Sequence, residues 1–174
     1  LYDLGILEKN FLNFQKTSSD LLNYPSHICY AVKANDHPKI LDKLNSLGSG
    51  ADVVSVGELL KALKAGIKPN KIVFSGVGKT EEELRLAIKK RILLINVESE
   101  NEAVLINKIS RNMQKKVSIG VRLNPDIDAP THKKISTGKA EDKFGLSKKN
   151  LIIFFKNIKK FKYLKLEALS VHIG

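Results

Sequence analysis

Short apolar runs alternate with longer amphipathic stretches along the whole chain, one pair every 20–25 residues or so, roughly the length of a strand plus a helix and its turns. The runs at 28–33, 51–55, 71–75, 92–97, 117–123 and 166–173 are rich in Ile, Val and Leu and predict six strands. Helical periodicity fills the intervals near 38–47, 56–65, 81–90, 99–112 and 147–160. Three of these helices open on a hydroxyl followed three residues later by glutamate: Ser55 and Glu58, Thr80 and Glu83, Ser99 and Glu102. That is capping-box spacing, in which each side chain satisfies a backbone N–H that the first helical turn leaves unpaired. Gly48 and Gly66 stand just past helix ends, where the left-handed backbone costs glycine least. His37, beside Pro38, reads as the cap of the helix that follows it.

Regular strand–helix alternation points to parallel βαβ units, which leaves a doubly wound open sheet or a (β/α)8 barrel. The dinucleotide fingerprint of the open sheet is missing, because Gly48-Ser49-Gly50 precedes a strand instead of following one. Lys33, Ser75, Arg122 and His172 each fall at the carboxyl end of a different strand, and Asp52 lies within the strand after that of Lys33. Functional groups converging from many strand ends are the arrangement of the barrel. Closure takes eight strands and the pattern supplies six, while Leu1-Tyr2-Asp3-Leu4 reads as the middle of a strand. The chain is therefore expected to be an incomplete α/β TIM-type barrel, a piece of a longer protein, with residues 1–174 forming one barrel domain.

Composition narrows the partners. At 174 residues and 43% hydrophobic, the chain can bury a core, and it has no apolar stretch long enough to span a membrane. Its single cysteine, Cys29, excludes an internal disulfide and fits a reducing compartment, so the cytoplasm is expected; within its apolar run Cys29 reads as a small core residue. The net charge of +12 raises the question of nucleic acid. Only four of the thirty cations are Arg, the Lys residues are spread over all the helical segments, and aromatics make up 6%, so neither base readout nor a stacking platform is provided for. No nucleic acid and no membrane is the expectation.

Candidate chemistry begins with Tyr30-Ala31-Val32-Lys33-Ala34-Asn35, which sets a lysine at the end of an apolar run. A desolvated lysine has a lowered pKa and condenses with aldehydes as a Schiff base; the plainer reading is the first solvated residue past a strand. Gly76-Val77-Gly78-Lys79-Thr80 looks like a phosphate loop, but the glycine required five residues before Gly78 is Val73, and a turn plus helix cap is the better reading. His27 and His132 lack metal-ligand spacing, so no metal is expected. The stretch from Arg122 to Gly145 is long for a βα connection and dense in donors and charges, which marks a binding loop or a solvated insertion.

A resemblance carries further. YAVKAN, GADVVSVGELLKAL, KIVFSGVGKTEEEL, INVESENE, VRLNPDIDAPTHKKISTGKAEDKFGL and SVHIG occur in the order and spacing of the diaminopimelate decarboxylases. These are fold-type III pyridoxal-phosphate enzymes related to alanine racemase and to ornithine and arginine decarboxylases. The resemblance implies the N-terminal cofactor-binding barrel domain and decarboxylation of meso-2,6-diaminopimelate to L-lysine and carbon dioxide, the last step of lysine biosynthesis. Ornithine, arginine or carboxynorspermidine decarboxylases, and a non-catalytic carrier of pyridoxal phosphate, are the alternatives. Residue by residue, it implies that Lys33 binds pyridoxal 5'-phosphate covalently, that His172 stacks on the ring and that Asp52 positions the lysine amine. Arg122 is implied near the cofactor, Ala31 lining the ring and Lys143 bordering the ring hydroxyl. Glu58 is either a second acidic group of the site or a plain helix cap. The phosphate loop, the partner of the pyridine nitrogen and the substrate arginines are implied beyond Gly174, as is a cysteine shared across a homodimer, so the isolated fragment is expected to be inactive.

Overall fold

The computed structural model describes residues 2–127 and 144–173. Helix α1 (Leu4–Leu21) is followed by β1 (Cys29–Ala31), α2 (Pro38–Ser46), β2 (Gly50–Val53), α3 (Val56–Lys64), β3 (Ile72–Phe74), α4 (Glu81–Lys90), β4 (Leu94–Val97), α5 (Glu100–Asn112), β5 (Val117–Leu123), α6 (Lys148–Asn157) and β6 (Leu164–Val171). All five neighbouring strand pairs are parallel, and the spatial order is the sequence order, β1-β2-β3-β4-β5-β6. A doubly wound sheet reverses direction at a switch point; an uninterrupted order of right-handed crossovers keeps all the helices on one face, as in a (β/α)8 barrel. No helix among the described residues is long and apolar enough to cross a membrane.

The strand period of two sorts the side chains. Ala51, Val53, Ile72, Phe74, Ile95, Val97, Ile119 and Val121 are fully buried and pack with helix residues Leu59, Ala62, Leu84, Ala87, Ala103 and Ile106 into one core. The alternate positions, Asp52, Val73, Asn96 and Arg122, line the opposite face. Gly48 and Gly66 end their helices at φ 86° and 83°. Thr80 and Glu83 form a complete capping box. The Ser55 and Ser99 hydroxyls accept from the N–H of Glu58 and Glu102 as the spacing predicts, whereas the glutamate carboxylates reach one residue further back, to Val54 N and Glu98 N. His37 caps α2 through Nδ1.

Two expectations need correction. The opening residues are no strand: the Asp3 carboxylate accepts from Gly5 N at 2.8 Å and Ile6 N at 3.1 Å and so starts α1. Leu4, Leu7 and Phe11, on one helical face, then pack on Ile40 and Leu44 of α2 in a second small core. The strand expected over 28–33 stops at Ala31, and Val32–Ala34 form a single 3-10 turn. Only Val32 of that turn enters the core, and Lys33 is exposed instead of desolvated.

Candidate active site

The carboxyl ends of the strands surround a cleft of about 520 Å3. Lys33 reaches it from the turn after β1, Asp52 from β2, Ser75 from just beyond β3, Asn96 from β4, Glu98 from just beyond β4, Arg122 from β5, and Ser170 and His172 from β6 and its end. Lys33, Asp52, Arg122 and His172 are thus brought together as expected. Ala31 pairs in register with Asp52 but is not among the described residues that line the cleft. Glu58 is turned away, its carboxylate accepting from Val54 N at 2.9 Å to brace the β2–α3 turn. Lys143 lies outside the described residues.

Two polar clusters line the walls. In the first, the Ser75 hydroxyl donates to Asp52 Oδ1 at 2.5 Å and accepts from Asn96 Nδ2 at 3.0 Å. Burial raises the Asp52 carboxyl above the usual aspartate range, opposed by the Ser75 hydrogen bond and by the charges of Lys33, His172 and Arg122. In the second, Arg122 Nη1 donates to Glu98 Oε1 at 3.2 Å and Nη2 to the His172 carbonyl at 3.4 Å. The guanidinium also lies 4.8 Å from the centroid of the Phe144 ring. The other Glu98 oxygen accepts from Gly145 N at 3.0 Å. His172, at the rim, is held below the ordinary histidine value by partial desolvation, then by the charges of Arg122 and Lys33, with Asp52 and Glu98 opposing. Cys29, half-buried at the cleft, has its thiol pushed up by burial and by Asp52, with Lys71 opposing; its pKa direction is that of an inert thiol.

The rim is tied at the base of the long β5–α6 connection. Leu146 N donates to Arg122 O and Asn124 N donates to Leu146 O, both at 2.8 Å, so the two ends of the connection lie side by side. Gly145 holds this neck at φ 73°, and a Cβ there would stand 2.8 Å from Arg122 O.

Asn96, Glu98 and Ser170 are site residues that the sequence reading passed over. The signal for Asn96 and Glu98 is a polar side chain in phase with the inward positions of β4, whose alternate residues Ile95 and Val97 are apolar. Ser170 has no such signal, because Lys165 and Glu167 stand at the alternate positions of β6. Lys79, of the rejected phosphate loop, is buried away from the cleft: Nζ donates to Gly76 O, Asn96 O and Glu102 Oε1 at 2.6, 2.8 and 2.8 Å. It anchors the β3–α4 turn to β4 and α5, in keeping with a turn and a cap.

The cleft offers what a pyridoxal group requires of protein: a solvent-reachable primary amine for its aldehyde, a carboxyl beside that amine and an imidazole at the rim. Three buried polar atoms on the cleft residues, Asn96 Oδ1, Arg122 Nε and Ser170 Oγ, also have no hydrogen-bond partner among the described residues.

Residues 4–174 match the family model for the pyridoxal binding domain of pyridoxal-dependent decarboxylases. The diaminopimelate decarboxylase of Helicobacter pylori strain J99 is 47% identical over 174 residues, all of this chain and 42% of the relative. That of Vibrio cholerae is 43% identical over all of this chain and 41% of its own length. The crystal structure of diaminopimelate decarboxylase from Helicobacter pylori complexed with L-lysine superposes with a TM-score of 0.94 and 46% identity, over 99% of this chain and 43% of that one. The chain therefore spans about two fifths of the curated relatives it matches.

Proposed function

Because the chain belongs to the pyridoxal-dependent decarboxylases, we propose that it is the cofactor-binding barrel portion of a diaminopimelate decarboxylase. The reaction breaks the bond from one α-carbon of meso-2,6-diaminopimelate to its carboxylate and replaces it with a bond to hydrogen, giving L-lysine and carbon dioxide. The observation that carries this reading is the convergence of Lys33, Asp52 and His172 on one cleft, in a chain whose whole length aligns with enzymes of that name.

Lys33 is the residue we assign to hold pyridoxal phosphate, through Nζ. When bound, that group supplies an electron sink for the charge left on carbon as carbon dioxide departs. Asp52, drawn toward its protonated form by burial, is assigned to orient the Lys33 amine and exchange a proton with it. His172, below its ordinary pKa, presents a neutral imidazole to the cleft at neutral pH, the form suited to lie against an aromatic ring. Arg122, fixed by Glu98 and Phe144, keeps a positive charge on the wall of the cleft. Ala31 and, from the connection after β5, Lys143 are kept as cofactor neighbours. Glu58 is assigned to the β2–α3 turn. The substrate is a small amino acid, the site is read as shared within a homodimer, and the compartment is read as the cytoplasm.

The test uses the intact gene product with pyridoxal phosphate and meso-diaminopimelate, following lysine formation, carbon dioxide release and the yellow absorbance of lysine-bound cofactor. Lys33→Ala should abolish all three. Persistent decarboxylation in that variant would overturn the assignment of Lys33, and turnover of ornithine or arginine in preference to diaminopimelate would overturn the substrate.

A further inference from the structure

Asp52 and Asn96 do not touch, yet one hydroxyl joins them. Asn96 Nδ2 donates to Ser75 Oγ at 3.0 Å, and Ser75 Oγ stands 2.5 Å from Asp52 Oδ1. A serine hydroxyl has one proton to give. With the Asn96 amide occupying a lone pair of Ser75, that proton is directed to Asp52. Were the amide reversed, its oxygen would take the Ser75 proton and Asp52 would face a lone pair. We propose that Asn96 is a positioning residue that acts through Ser75, fixing the Asp52 carboxyl as a hydrogen-bond acceptor toward the cleft.

An ionised Asp52 accepts and does not donate, so it takes the Ser75 proton and leaves Ser75 to accept from the amide, with Asn96 Oδ1 buried and without a hydrogen-bond partner among the described residues. Asn96 pairs in register with Gly120, and its Oδ1 stands 2.3 Å from where a Cβ on Gly120 would be, so the carbonyl end occupies the space left by the missing side chain. The Asn96 main-chain carbonyl is itself held by Lys79 Nζ at 2.8 Å. The chain of contacts thus runs from the buried Lys79 through β4 to the cleft. The other groups acting on Asp52 are Lys33 from the turn after β1, Cys29 from β1, Arg122 from β5 and His172 from the end of β6. The first and the last two are cationic or protonatable and also favour the carboxylate. The Ser75–Asn96 pair adds the directional, uncharged share of that opposition to burial.

The purpose of the relay rests on reading the cleft as a cofactor site; its existence does not, and the two are measured apart. In cofactor-free protein labelled at aspartate Cγ, the Asp52 carboxyl is titrated by NMR, with Asp52→Asn giving the assignment. Asn96→Ala and Ser75→Ala should each raise the proton affinity of Asp52 about three- to tenfold, the net worth of one ordinary intramolecular hydrogen bond. The double variant should move it no further than Ser75→Ala alone, and Ser75→Thr, which keeps the hydroxyl, should titrate as the parent does. Gly120→Ala, which crowds the amide without removing it, should shift Asp52 in the same direction and serves if Asn96→Ala does not fold. An Asp52 titration unmoved by Asn96→Ala or Gly120→Ala, or additive shifts in the double variant, would overturn the relay. Failure of added pyridoxal phosphate to give yellow absorbance through Lys33, with the titration shifts intact, would overturn the cofactor reading and leave the relay standing.

Discussion

Lys79→Met should destabilise the fold by about 3–5 kcal/mol, although Lys79 takes no part in the cleft. The lysine side chain is 1% exposed and that of its partner Glu102 10%. Its three N–H groups meet three acceptors, two of them main-chain carbonyls. Methionine preserves most of the stem against Phe74 but leaves the Glu102 carboxylate and both carbonyls without their donor. An unpaired buried carbonyl alone costs about 1–3 kcal/mol, and breaking a buried ion pair from one side about 3–5 kcal/mol. The losses share one cavity and do not add, so the upper single figure bounds the total. Against the 5–15 kcal/mol of a typical domain, roughly, that is a large fraction. Arg85 and Glu81 provide the control within the same helix layer: an i,i+4 pair at 2.5 Å, but 44% and 50% exposed. Arg85→Ala should cost no more than about 0.5 kcal/mol, less at high salt, because water screens the pair. Urea unfolding at fixed m value reads both. A Lys79→Met loss below about 1 kcal/mol, or equal losses in the two variants, would refute the view that burial, and not ion pairing as such, gives Lys79 its weight.

Asp52→Asn should stabilise the protein at neutral pH while removing its proposed function. Because burial raises the folded pKa above the ordinary 3.8, the contribution of Asp52 to stability is full below that value and lost as pH rises through the folded pKa. The advantage of the amide in urea midpoint should therefore shrink between about pH 7 and about pH 4, and an advantage constant across that window would contradict the reasoning. Gly145→Ala forces a side chain into a left-handed backbone and against Arg122 O, and should lower Tm by roughly 2–8 °C; an unchanged melting curve would show that the neck rearranges freely.

Much of this fold was legible because its local signals agree. β5 runs over 117–123 as the apolar pattern predicts, and the hydroxyl–glutamate pairs mark the starts of three helices within a residue or so. Where the reading failed, a local cue was outweighed. Apolar Leu1, Tyr2 and Leu4 suggested a strand, yet Asp3 caps a helix whose Leu4, Leu7 and Phe11 share a face; that helical spacing was present in the sequence. Around Lys33 the apolar run continues through Val32, but the backbone leaves the ladder after Ala31, and hydrophobicity carries no record of hydrogen-bond direction. The convergence of Lys33, Ser75, Arg122 and His172 followed from strand-end positions, with Asp52 placed within the strand after that of Lys33. The partners of that set did not: pairing Asn96 with Ser75, or Glu98 with Gly145, depends on register between strands and on where the β5–α6 connection returns.

The hydrogen bonds that join Arg122 and Asn124 to Leu146 have an evolutionary consequence. They close the excursion between β5 and α6 at its base, so the sheet meets the same two anchor points whatever number of residues is inserted between them. Lengthening such a closed excursion twofold costs only about 0.6 kcal/mol of chain entropy. Descendants of this gene can therefore trade segments between Asn124 and Gly145 while the elements that carry the lysine, aspartate and histidine inherit their geometry unchanged.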